Sequence, residues 1–124
     1  MTSILLAHFL VAIAKVESGE NDHAIGKAGE VSRYQILPAV WKHHTKMSLK
    51  DAVNPDMAKV VALDYLNCEI DWFKSANGRE PNFTEMTMLW HAPHRIQWPS
   101  LDDKDYCQRV WNLFRVEVDR EKVK

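Results

Sequence analysis

Hydrophobic positions crowd the start of the chain: residues 4–16 are almost unbroken hydrocarbon, interrupted only by His8 and Lys15. This pattern predicts a buried core helix from Ser3, its N-cap, to Glu17 or Ser18, with Gly19 ending it. The run is too short to span a bilayer, and it lacks the basic n-region and small-residue cleavage site of a signal peptide. Residues 19–34 contain Gly19, Gly26 and Gly29 and have no helical period. They read as a structured loop with at most a small hairpin. Pro38 suits the first turn of a short helix over 39–45, and a turn at 48–53 follows.

Asn54-Pro55 is a strong helix start, with Asn as cap and Pro at the first helical position. Beyond it Met57, Val61, Tyr65, Cys68 and Trp72 recur at spacings of four and three, which predicts one buried stripe of a long helix. Asn77-Gly78 stops that helix. Asn82-Phe83-Thr84-Glu85 has the form of a capping box and opens a short helix through Trp90. Pro93 and Pro99 bracket an irregular stretch. Ser100-Leu101-Asp102-Asp103 opens the last helix, with Tyr106, Val110, Leu113 and Phe114 as its apolar stripe and a charged, fraying tail after Val118. No strand-length alternation and no repeat interrupts this sequence of helices. The expectation is an all-α single domain of five to six helices spanning residues 1–124.

Composition narrows the function classes. The chain has 124 residues, 46% of them hydrophobic and 27% charged, enough for a core without metal or disulfide staples. Sixteen basic and seventeen acidic residues leave a net charge of −1, so the basic footprint of a nucleic-acid binder is missing. Five tryptophans (41, 72, 90, 98 and 111) are many for this length; they suit a core and also suit sugar rings. Cys68 and Cys107 could pair, and read more simply as two lone buried thiols. The histidine clusters His43-His44 and His91-x-x-His94 lack metallohydrolase spacing, and Pro93 breaks the geometry of the second. No metal and no cofactor is expected.

Glu17 is the residue with chemical promise. A carboxylate ending an apolar helix is partly desolvated, which disfavours its charged form and raises its pKa. A carboxylic acid still protonated near neutral pH can protonate a glycosidic oxygen. Taken alone, Glu17 equally fits the first solvated position of the helix.

The residues that follow alter that balance. Glu17-Ser18, then Ala28-Gly29 with Val31, Gln35, Ile36, Pro38 and Trp41, resembles the pattern of the lytic transglycosylase family of SLT type, whose fold is lysozyme-like. Asn54-Pro55 with Ala62-Leu63-Asp64-Tyr65-Leu66 is similar to that family's next helix. Leu89-Trp90-His91-Ala92-Pro93 stands in the place of its Ala-Tyr-Asn-Ala-Gly-Pro motif, and Asp105-Tyr106 through Val110 is similar to its C-terminal helix. The resemblance covers about residues 4–115, in order.

The resemblance implies cleavage of the β-1,4 bond between N-acetylmuramic acid and N-acetylglucosamine in peptidoglycan. Glu17 would be the sole catalytic carboxylate, acid first and then base on the muramic 6-hydroxyl, giving a 1,6-anhydro product. Ordinary glycosidases flank the bond with two carboxylates. Glu20, Asp22 and Glu30 could supply a second if their loop folds back, and read more simply as solvated loop charges. Ser18, Ser32, Tyr34, Gln35, Trp90, His91 and Tyr106 are the implied substrate-binding positions, with the Tyr106 hydroxyl facing Glu17. Tyr34 and Tyr106 fit core packing as well. The implied partner is the peptidoglycan glycan strand, acted on by a monomer in the periplasm or outside the cell.

Departures from the family pattern cluster around the same site. Gly26 replaces a serine whose hydroxyl helps to hold the substrate's acetamido group. Ser32 replaces a glycine, Arg33 a leucine, Tyr34 a methionine, Trp90 a tyrosine and His91 an asparagine, and one glycine after Ala92 is missing. Arg33 puts a cation near the cleft, and His91 adds a group that titrates near neutral pH, so a steeper pH dependence is expected. Two other readings stay open: a hydrolase on the same scaffold, as in goose-type lysozymes, and a non-catalytic module that binds glycan or protein.

Overall fold

Thr2, one residue earlier than expected, caps the first helix: its hydroxyl accepts the Leu5 N–H at 3.2 Å. Helix α1 (Ser3–Ser18) ends at Gly19, whose φ of 65° places it in the left-handed region that favours glycine. Its N–H and that of Glu20 return to the carbonyls of Lys15 and Ala14, satisfying the helix end. The computed structural model describes residues 1–123 and is all-α. After α1 come α2 (Pro38–His44), a 3-10 turn (Leu49–Val53), α3 (Pro55–Asn77), α4 (Phe83–His91), a second 3-10 turn (Pro93–Arg95) and α5 (Leu101–Val123).

The local signals act as the sequence expects. The Asn54 side chain accepts from Asp56 and Met57 N–H groups, Pro55 opens α3, and Gly78 closes it at φ 66°. Asn82 and Glu85 form a reciprocal capping box, and Arg79 holds the Glu85 carboxylate through two bonds of 2.8 and 2.9 Å. The hairpin expected in the loop region is reduced to one antiparallel bridge between Val31 and Ile36.

The core gathers Phe9, Leu10 and Ile13 of α1, Trp41 of α2, Val61 and Leu66 of α3, Met86 of α4, and Val110 and Phe114 of α5. Burial of each large side chain stabilises the fold by about 1.5–3 kcal/mol. Trp41 also donates its indole N–H to the Met47 carbonyl at 3.0 Å, so its one polar atom is satisfied inside.

Three expectations are corrected. Helix α3 buries Ala58, Val61, Ala62, Leu66 and Phe73, while Met57, Cys68 and Trp72 are exposed. The alanines select the inward face because they let neighbouring helices approach, and the larger residues are split between two faces. Cys68 is therefore a surface thiol; only Cys107 is buried, and the two are unpaired. The charged end of the chain continues α5 rather than fraying, because it runs along α1: Glu117 pairs with Lys15 at 2.8 Å, and Val118 packs on the core.

Candidate functional site

Five segments meet at the C-terminal end of α1. A cleft of about 300 Å³ opens there, lined by Glu17, Glu30, Gln35, Ile36, Leu37, Val40, Tyr65, Trp90 and His91. A larger hollow of about 430 Å³ between α4 and α5 is lined by Phe83, Thr84, Lys104, Cys107, Gln108 and Trp111, with no carboxylate among them.

Glu17 occupies the last turn of α1 and is half-buried. The Tyr106 hydroxyl, reaching across from α5, donates to Glu17 Oε2 at 2.6 Å. Burial raises the Glu17 pKa and outweighs the opposing bond from Tyr106; negative charge on Glu30 raises it further, while Arg109 and the Trp90 side chain pull it down. Burial, and after it the charge and bond of Glu17, push the Tyr106 hydroxyl's pKa far up, so it stays a proton donor to the carboxyl. Glu17 is thus an acid biased toward keeping its proton, with one oxygen already engaged.

His91 sits behind this pair. Its ring stacks on Tyr106, with centroids 3.9 Å apart and planes 14° from parallel, and its Nε2 lies 3.1 Å from Asp103 Oδ1. Asp103 is only 1% exposed. It takes two bonds from Arg95 (2.7 and 2.8 Å) and the Ser100 N–H, which holds its carboxyl far below the usual range. Despite Asp103, burial lowers the His91 pKa. The ring is therefore biased toward its neutral form, which weakens the expectation that it steepens the pH dependence near neutrality.

Residues 31–36 form a tight loop pinned by the Val31–Ile36 bridge, with both N–H···O bonds at 2.8 Å. Ser32 and Gln35 adopt left-handed backbone, at φ 72° and 55°. For residues other than glycine this is strained, and the strain gathers beside the cleft. Local bonds hold it: Ser32 Oγ accepts the Tyr34 N–H, and the Ser32 carbonyl accepts from both the backbone and the side chain of Gln35. The Gln35 amide also donates to the Ala24 carbonyl at 3.1 Å.

The structure separates the nominated positions into two groups. Glu17, Gln35, Trp90 and His91 line the cleft, and Tyr106 reaches it through Glu17. Ser32 is 1% exposed and faces inward, so its side chain cannot reach a sugar; it supports the loop from below. Ser18 is occupied with the Arg33 carbonyl (2.7 Å) and the Asn21 N–H (3.0 Å), welding the end of α1 to that loop. Tyr34 is buried edge-on against Trp90 at 6.4 Å, backing the aromatic wall rather than forming its surface. Arg33 is clamped by Asp22 at 2.7 and 3.0 Å, so its charge is already matched.

Two cleft residues were undervalued by the sequence. Tyr65 reads there as one member of a core stripe, yet it lines the cleft and packs edge-on against Trp90 at 5.5 Å. Glu30 reads as a solvated loop charge, yet it is half-buried beside Glu17. Elsewhere, His44, Asp64 and Cys68 bring potential metal-ligand atoms within 4.8 Å of one another. The 2.6 Å bond from His44 to Asp64 accounts for the closest approach, and none of the three lines the cleft.

Comparison with protein families matches residues 3–84 to the transglycosylase SLT domain. No curated protein and no solved structure gives a match.

Proposed function

The chain belongs to the transglycosylase SLT domain family, and from this premise we propose that it cleaves the β-1,4 bond between N-acetylmuramic acid and N-acetylglucosamine in peptidoglycan. The observation that carries the reading is Glu17: a half-buried carboxyl at the end of an apolar helix, bonded to Tyr106 and open to a cleft walled by Trp90 and Tyr65. Burial favours the protonated acid that the first step needs.

With Oε2 held by Tyr106, the carboxyl's other oxygen carries the transferable proton. Glu17 gives that proton to the glycosidic oxygen as the bond to the anomeric carbon breaks, and the electron pair leaves with the N-acetylglucosamine hydroxyl. The oxocarbenium-like sugar is then closed by its own 6-hydroxyl, whose proton returns to Glu17. One carboxyl completes the cycle and no water is consumed. Gln35 and the aromatic residues Trp90 and Tyr65 line the cleft that would receive the sugar. A cell-wall location follows from this substrate. Among the described residues, no helix is long and apolar enough to cross a membrane.

The test is turbidity loss of a cell-wall suspension by the wild type and by Glu17→Gln. Clearing by the wild type alone is expected; equal clearing by both, or by neither, overturns the reading. Tyr106→Phe removes a charge-assisted bond and leaves the ring stacked on His91. A fall in rate of roughly tenfold is expected, the size of one such hydrogen bond. Because the Tyr106 bond lowers the Glu17 pKa, the alkaline limb of the rate profile should move to higher pH in this variant. A profile limb left in place would remove Tyr106 from the account.

A further inference from the structure

A side chain at Gly26 would have to displace the ends of two cleft side chains. A Cβ built there would lie 2.6 Å from Glu30 Oε1 and 2.7 Å from Gln35 Oε1, both on the cleft side of the loop. Gly26 N–H donates to the Glu30 carbonyl at 2.9 Å, and the Ala28 N–H donates to Glu30 Oε1 at 2.7 Å. Residues 26–30 thus form a small backbone cradle that seats one carboxylate against the cleft. We propose that Glu30 is the second carboxylate of this site: a fixed negative charge that acts through Glu17, with Gly26 as the position that admits it.

This rests on the reading of Glu17 as the acid. Two carboxyl groups facing one cleft resist ionising together, so negative charge on Glu30 favours the protonated form of Glu17. The remaining groups around Glu17 do not replace this effect. From α5, Tyr106 and Arg109 favour its ionised form, as does Trp90 from α4. His91 lines the same cleft but is stacked on Tyr106 and biased toward its neutral form, and Arg33 is matched by Asp22 and Glu20. Glu30 is therefore a positioning residue for the proton, distinct from the group that transfers it.

The test reads Glu17 directly, by carboxyl carbon NMR titration of the wild type, Glu30→Gln and Gly26→Ala. The Glu17 midpoint is expected to fall in Glu30→Gln and to move the same way in Gly26→Ala, where the new methyl displaces the Glu30 carboxylate. The rate profile should follow, with roughly tenfold loss at its alkaline end and an unchanged acid end. An unmoved Glu17 midpoint in Glu30→Gln overturns the inference. So does equal loss of rate at every pH together with reducing-end products from the wild type, which would make Glu30 the base for an attacking water. The titration needs no turnover, so a protein that fails to clear cell walls sinks the proposed function without deciding this one.

Discussion

Glu17→Gln is expected to lose cell-wall clearing by about a thousandfold, the scale of a lost general acid, and yet to melt at a higher temperature than the wild type at pH 7. The loss follows from removing the only group in the proposed reaction that donates and then accepts a proton. The gain follows from linkage. Burial raises the Glu17 pKa above that of the unfolded chain, so the folded state binds more protons from about pH 4 upward. Its contribution is therefore complete in acid and is lost as pH rises through the folded value. Glutamine carries no such penalty and can still accept the Tyr106 bond. Thermal melts at pH 4 and pH 7 check this: the gap in favour of the variant should widen with pH, and a constant gap contradicts it.

Asp103→Ala is expected to destabilise the fold by about 3 kcal/mol, toward the lower end for a broken buried pair because Arg95 can return to water. One carboxylate answers Arg95, His91 and the Ser100 N–H, so truncation leaves several donors unmatched at once. The His91 ring also loses the contact that sets its angle on Tyr106, and a further fall in rate is expected at temperatures where the variant is folded. The depressed Asp103 pKa fixes the sign with pH. Its stabilisation is present above the unfolded value, near pH 4, and fades as pH falls toward the lower folded one. Denaturant melts should show the difference from wild type in full at pH 7 and shrinking below pH 4.

Helix punctuation was legible in the chain because it is local chemistry. Asn54-Pro55, the Asn82–Glu85 box, Gly19 and Gly78 each answer unpaired backbone groups within a few residues. The buried face of α3 was not, since Met57, Cys68 and Trp72 satisfy the helical period as well as Ala58, Ala62 and Leu66 do. Only packing against neighbouring helices decides between them. The extension of α5 depends in the same way on α1, through Lys15 and Glu117.

Within the site, the residues carried by family resemblance divide by reach. Glu17, Gln35, Trp90 and His91 line the cleft, whereas Ser18, Ser32 and Tyr34 brace it from behind. The substitutions at Gly26 and Ser32 look like losses when read one at a time. In three dimensions the Ser32 hydroxyl steadies the strained backbone it sits on, and Gly26 makes room for Glu30. Spacing along the chain carries no signal for that second relation, which exists only where residues 26 and 30 close on each other.

In the proposed mechanism one carboxyl, Glu17, serves as acid and then base, with the sugar's own 6-hydroxyl as nucleophile. Mass spectrometry of the soluble products from purified peptidoglycan tests it most directly. Muropeptides with 1,6-anhydro ends, lighter by one water than their hydrolysed counterparts, are expected. Products with reducing ends, or no soluble products from the wild type, would contradict it.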